Sequence, residues 1–371
     1  MKPETLAAQA LHSIDQATGA IIPPIQLATT YARDANYATR GPSYTRDENP
    51  TPVTAERVIA ALEGGAAART FASGMAAATA VFRAVCRPGD HVITPRVAYY
   101  GLRGWIERFC ARWGVTHDVV EMTDLAAVRG ALRPTTRIVW LETPANPTWE
   151  ITDIAAVAEL AHQTGALVAV DSTCATPVHC QPIALGADLV MHAATKYLAG
   201  HSDVLAGVLV TARADAAWNE IVQLRHDEGA CIGPFEAYLL LRGMRTLFAR
   251  VERASRTAHY LAEELAARGV TVRYPGLPSH PQHAVAARQM QRGFGGMLSI
   301  QVGGGAARAL DVVQRLRVWI PATSLGGVES LVEHRTTVEG PTSPTPPDLL
   351  RLSDGLEHEA DLLDDLVAAL S

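Results

Sequence analysis

From Thr54 onward the chain alternates short, nearly continuous apolar runs with amphipathic stretches. Arg69–Ala72, His91–Pro95, Arg137–Glu142, Leu167–Asp171, Asp188–His192 and Leu205–Val210 read as strands from their length and composition. Between them, segments such as Ala76–Val85 and Thr152–Gly165 read as helices. Strands that are apolar on both faces must be covered on both faces. The pattern therefore predicts a parallel sheet between two layers of helices, an α/β domain.

Two stretches interrupt this rhythm. Residues 1–53 contain Pro23, Pro24, Pro42, Pro50 and Pro52 with little periodicity, which predicts an extended arm with little core of its own. In Tyr274–Gln289, Pro275, Gly276, Pro278 and Pro281 break the pattern before a strand (Met297–Val302), a helix (Ala306–Leu316) and a final helix (Glu357–Leu370). The expected division is an arm (1–53), a large domain (54–240) and a smaller α+β domain (241–371). A length of 371 residues, at roughly 150 per domain, accommodates that division.

Composition narrows the function. With 48% hydrophobic and 19% charged residues the chain has the makeup of a folded globular protein. Lys plus Arg at 32 against Asp plus Glu at 38 gives −6, so no long-range positive field would recruit nucleic acid or an anionic membrane. The five cysteines, at 86, 110, 174, 180 and 231, are odd in number and form no C-x-x-C pair. That argues against a disulfide framework or a zinc ribbon. His280 and His283 lack the H-E-x-x-H spacing, and Gly303, Gly304 and Gly305 fit no dinucleotide fingerprint. No metal is expected. No uncharged apolar run reaches about 18 residues, and Met1–Ile25 has no apolar signal core, so a cytoplasmic protein is expected.

The chemistry concentrates after the strands. Lys196, in His192-Ala193-Ala194-Thr195-Lys196-Tyr197, follows a buried strand, where partial desolvation would lower its pKa and free the amine for Schiff-base formation. A lone lysine there would ordinarily be an exposed loop residue. Asp171, 25 residues upstream, ends another apolar strand. Its carboxylate needs a cation, though a helix N-cap would be the plainer role. Ser73-Gly74-Met75 lies between a strand and an Ala-rich helix, where backbone amides can receive an anion.

These residues, with the ordered landmarks Tyr44-Thr45-Arg46, Asn49-Pro50-Thr51, Ala72–Ala77, Glu142–Pro147, Ser324-Leu325-Gly326-Gly327 and Arg351-Leu352-Ser353, resemble the Cys/Met-metabolism family of pyridoxal phosphate enzymes. Cystathionine γ-synthase, cystathionine γ-lyase and methionine γ-lyase belong to it, and the resemblance spans nearly the whole chain. It implies a fold type I, aspartate-aminotransferase-like large domain with a mainly parallel sheet, and a smaller α+β C-terminal domain. It also implies pyridoxal 5'-phosphate as cofactor and a free amino acid as substrate.

Residue by residue, Lys196 would bind the cofactor and then act as base, and Asp171 would hold the ring nitrogen. Ser73, Gly74, Met75 and Thr195 would hold the phosphate. Tyr99 would stack on the ring and protonate the leaving group, with adjacent Tyr100 as the fallback. Asn146 would lie on the phenolate side of the cofactor and near the substrate, and Arg351 would clamp the substrate carboxylate, with Thr323 and Ser324 beside it. Tyr44 and Arg46 would reach the phosphate of a neighbouring subunit, which implies a homodimer sharing its sites and a tetramer built from two such dimers.

The implied reaction is γ-elimination or γ-replacement on a γ-substituted amino acid such as O-acyl-homoserine, methionine or canavanine. A β-lyase acting on cystathionine or cysteine conjugates is the alternative, and an inactive regulator on the same fold is a remote one. A nucleotide-binding oxidoreductase would need the missing fingerprint. Some positions depart from the family. Ala193 stands where Ser is common, and Tyr99-Tyr100-Gly101 replaces Tyr-Gly-Gly. Thr323 replaces a Glu found in cystathionine γ-enzymes, Ser43 replaces an Asp of γ-synthases, and Glu333–Pro341 differs from the usual Thr-His-bearing stretch. Without carboxylates at 43 and 323, poor turnover of cystathionine is expected.

Overall fold

Twelve strands in two sheets organise the residues that the computed structural model describes, 1–340, 343 and 345–371. The strands are β1 (Ala67–Phe71), β2 (His91–Pro95), β3 (Thr116–Val120), β4 (Thr136–Glu142), β5 (Leu167–Asp171), β6 (Leu189–His192), β7 (Gly207–Thr211), β8 (Thr271–Arg273), β9 (Met297–Gln301), β10 (Ile320–Pro321), β11 (Leu331–His334) and β12 (Leu349–Ser353). The first sheet runs β1-β7-β6-β5-β4-β2-β3 and the second β10-β11-β12-β9-β8.

The first sheet is mainly parallel, as the apolar runs imply, and it is covered on both faces. In β4, Ile138 and Trp140 pack into one core with Phe82 of helix Gly74–Val85. Val139 and Leu141 pack into the opposite core with Val157 of helix Ile154–His162. All four side chains are buried, and each contributes roughly 1.5–3 kcal/mol by burial.

One strand departs from the all-parallel expectation. β7 is antiparallel to both β1 and β6, because the 193–206 connection from β6 contains no crossover helix, and a parallel return needs one. β3 has no counterpart among the apolar runs. It is an edge strand whose residues are mostly exposed or half-buried, so His117 and Asp118 are tolerated and the apolar signal fades.

The ends of the expected arm are helical. Pro3–Ala8 forms a short helix whose Ala7 is buried against the core of helix Pro50–Glu63. Pro50 and Pro52 do not break that second helix. They sit in its first turn, where a missing N–H costs nothing, and the Asn49 side chain accepts the Thr51 amide as cap. Likewise His283–Gln289 is a helix inside the segment read as a break.

The second sheet packs Leu298, Ile300, Leu350 and Leu352 against Leu261 and Leu265 of helix Leu247–Ala267 and Leu362 and Leu366 of helix Glu359–Leu370. It is tied to the first sheet's loops through Ser299. Its hydroxyl accepts the Trp149 indole N–H at 2.8 Å and donates to the Pro147 carbonyl at 2.8 Å. Among the described residues, no helix is long and apolar enough to cross a membrane, and no group of three or more His, Cys, Asp or Glu could hold a metal ion.

Candidate active site

Three parallel strands end side by side, β4 at Glu142, β5 at Asp171 and β6 at His192, at the edge where open α/β sheets bind ligands. A cavity of about 220 Å³ opens there. Ser73, Gly74, Met75, Tyr99, Asn146, Asp171, Thr195 and Lys196 line it, eight of the residues expected from the sequence.

At one end lies the start of helix Gly74–Val85. Ser73 caps it by accepting the Ala76 amide at 3.1 Å, and the amides of Gly74 and Met75 have no partner within the helix. Gly74 is required by space, since a Cβ there would stand 2.9 Å from that of Ala193. An anion fits this cradle. The Thr195 hydroxyl is engaged with its neighbour across the loop, donating to the Ala206 carbonyl at 3.2 Å and accepting the Ala206 amide at 2.9 Å.

Deeper in the cavity is Asp171. Its Oδ1 accepts the Thr173 amide at 3.0 Å and the Thr173 hydroxyl at 2.5 Å. Burial pushes its pKa up, and among the described residues no cation pairs with it. Such a carboxylate calls for a cationic N–H from a ligand. Thr173, which sequence reading passed over, also accepts the Ala193 amide at 2.8 Å. The Asn146 Oδ1 is buried and unpartnered.

Lys196 sits in the connection between β6 and β7, with its Nζ donating to the Ser324 hydroxyl at 2.6 Å. Burial, aided by the Arg351 guanidinium, lowers its pKa to about 8. Arg351, on β12, is itself buried. It pairs with its cross-strand neighbour Glu333 and donates to the Ser324 carbonyl, while its Nε has no partner. Thr323 is exposed beside this group. Of the two adjacent tyrosines Tyr99 lines the cavity, and their rings lie 5.1 Å apart.

Tyr44 and Arg46 are exposed and do not line the cavity, with the guanidinium 5.4 Å from the tyrosine ring centroid. The segment from Glu333 is described as far as Gly340; Pro341 lies outside the described residues. Cys174 lines the cavity as a buried thiol, and burial holds its pKa far above the ordinary range. Leu205 is another wall residue. Glu142, part of a sequence landmark, is the residue to which the sequence assigns no role of its own. Its position at the end of an apolar strand, matched to Asp171 on the neighbouring strand, was the available signal.

A helix N-terminus suited to an anion, a buried carboxylate suited to a protonated ring nitrogen and a half-buried lysine line one cavity, a combination that fits a pyridoxal phosphate enzyme of amino-acid metabolism. Residues 4–371 match the family described as Cys/Met metabolism PLP-dependent enzyme. A cystathionine gamma-synthase of Mycobacterium tuberculosis (strain ATCC 25618 / H37Rv) is 47% identical over 376 residues, covering 99% of this chain and 96% of the relative. A cystathionine beta-lyase of Coxiella burnetii (strain RSA 493 / Nine Mile phase I) is 40% identical, covering 96% and 94%. The solved structure of cystathionine gamma synthase from Xanthomonas oryzae pv. oryzae in complex with cystathionine superposes with a TM-score of 0.96 at 38% identity, covering 100% of this chain and 98% of that one. The chain belongs to the Cys/Met metabolism PLP-dependent family, and it is a PLP-dependent trans-sulfuration enzyme.

Proposed function

We propose that the enzyme catalyses γ-replacement, in which the acyloxy group of an O-acyl-homoserine leaves and the thiol of cysteine takes its place to give cystathionine. The observation that carries the chemistry is the half-buried Lys196, which lines the same cavity as Asp171 and Tyr99. The choice of reaction rests on the similarity to relatives named cystathionine gamma-synthase.

Pyridoxal 5'-phosphate, when bound, supplies the electron sink that makes the substrate's Cα–H acidic. The Gly74 and Met75 amides would hold its phosphate, joined by the Thr195 hydroxyl if it gave up its bond to the Ala206 carbonyl, with Asp171 on its ring nitrogen and Asn146 and the Tyr99 ring on its edge and face. Tyr44 and Arg46 of a neighbouring subunit would complete the phosphate site, a reading supported by their exposure and their absence from the lining of their own subunit's cavity. The proposed assembly is a homodimer that shares its sites.

Arg351 orients the substrate by its α-carboxylate. Burial lowers the Lys196 pKa, which favours the free-base form its Nζ needs to take the α-proton and then to act at Cβ. The Tyr99 hydroxyl hands a proton to the departing group.

The absence of carboxylates at Thr323 and Ser43 favours a second reading, in which the thiol carries no ammonium group and sulfide is the acceptor. The experiment supplies purified holoenzyme with O-acyl-homoserine and either cysteine or sulfide, and identifies products by mass spectrometry. Cystathionine from the first pair is the expected result; product from sulfide alone supports the second reading. Pyruvate from a parallel incubation with cystathionine, with neither γ-product in the first two, would show a β-lyase instead. Borohydride should fix the cofactor to Lys196.

A further inference from the structure

We infer that Glu142 is a positioning residue that holds two walls of the cavity in register through their backbone amides. The inference rests on the roles proposed for Tyr99 and Asn146. Glu142 is the last residue of β4, matched to Asp171 on β5, and only 6% of it is exposed. Its two oxygens do different work. Oε2 accepts the Tyr99 amide at 2.8 Å and Oε1 accepts the Asn146 amide at 3.1 Å.

Tyr99 and Asn146 lie in loops that leave different strands, β2 and β4, and the carboxylate is their common anchor. Tyr99 is the N-cap of helix Tyr100–Trp113, and an N-cap amide has no partner within its own helix, so it depends on an outside acceptor. Losing the carboxylate would leave the buried Asn146 amide and the half-buried Tyr99 amide unpaired, and both loops would move to find partners.

A carboxylate is the side chain this task requires. Gln has one acceptor oxygen and would point an NH₂ at the second amide. Asp is shorter by one methylene and could not span both. Burial and the neighbouring Asp171 push the Glu142 pKa up, and the two amide bonds it accepts pull it back toward the charged form that can accept both.

The test measures amide hydrogen exchange by mass spectrometry on the full-length protein, with and without cofactor, in peptides containing Tyr99 and Asn146. In Glu142→Ala both peptides should exchange faster, while strands β5 and β6 keep their protection. Glu142→Gln should release one of the two. In the same variants kcat should fall by about 10- to 100-fold with KM changed less than about threefold, since misplacement by about 1 Å can cost that much in rate. Should the alanine variant fail to fold, the near-isosteric glutamine variant supplies both measurements. Unchanged exchange in the two peptides, or unchanged kcat, overturns the inference. The exchange result does not depend on which amino acid reacts, so a wrong substrate assignment would leave it standing.

Discussion

The Lys196 amine donates to the Ser324 hydroxyl at 2.6 Å, joining residues 128 positions apart and carried by different sheets. Lys196 hangs between β6 and β7 of the first sheet, and Ser324 lies between β10 and β11 of the second. The resting position of the reactive amine is thus set by the docking of one sheet against the other.

That burial has a sign in stability. The folded pKa of Lys196, about 8, lies below its ordinary 10.5, so the folded state binds fewer protons between those values. Stability should therefore rise with pH across that window, with the penalty fully present below about pH 8. In cofactor-free protein, Lys196→Met should raise Tm most at pH 7 and progressively less toward pH 10. Scanning fluorimetry across that range checks this, and a constant difference would contradict it.

Shared sites predict complementation. Arg46→Ala and Lys196→Ala proteins, each inactive, should regain activity after subunit exchange, up to about a quarter of the unmodified level, because half the dimers are hybrids with one intact site each. Native mass spectrometry verifies the exchange. Hybrids that form and remain inactive would show that Arg46 serves its own subunit.

Thr323 offers a handle on the second substrate. A hydroxyl cannot neutralise an ammonium, and a charge-assisted bond is roughly twice as strong as a neutral one. Thr323→Glu should raise kcat/KM for cysteine by several-fold while leaving that for sulfide within about twofold. Equal effects on both would remove Thr323 from acceptor recognition.

Ser299 joins the Asn146 loop to the second sheet, and it is fully buried. Ser299→Ala would leave the Trp149 N–H and the Pro147 carbonyl without their partner, costing about 1–3 kcal/mol. Urea unfolding measures this, and a cost below about 0.5 kcal/mol would mean that the groups find other partners.

The buried parallel strands were legible because each apolar run maps onto a strand covered from both sides, as Arg137–Glu142 does on β4. β3 escaped because an edge strand needs no second apolar face. The direction of β7 escaped because it depends on the connection from β6 and not on the strand's own residues. Among the cavity residues, Lys196 and Asp171 stood out as charges at the ends of apolar runs. Glu142 occupies the same kind of place but acts on backbone amides, for which a sequence holds no partner to pair it with.

The antiparallel return of β7 leaves the lysine-bearing connection clasped at its neck, where Thr195 and Ala206 exchange backbone and hydroxyl hydrogen bonds. Lys196 is the first residue inside that clasp and Leu205 the last, and Leu205 is 63% exposed while forming part of the cavity wall. The clasp anchors the amine; the wall is held only by its own side chain. Substitutions at 205 can therefore reshape what the cavity admits while the strand pairing beneath the amine stays intact, so in this connection substrate choice and reactivity are free to diverge separately.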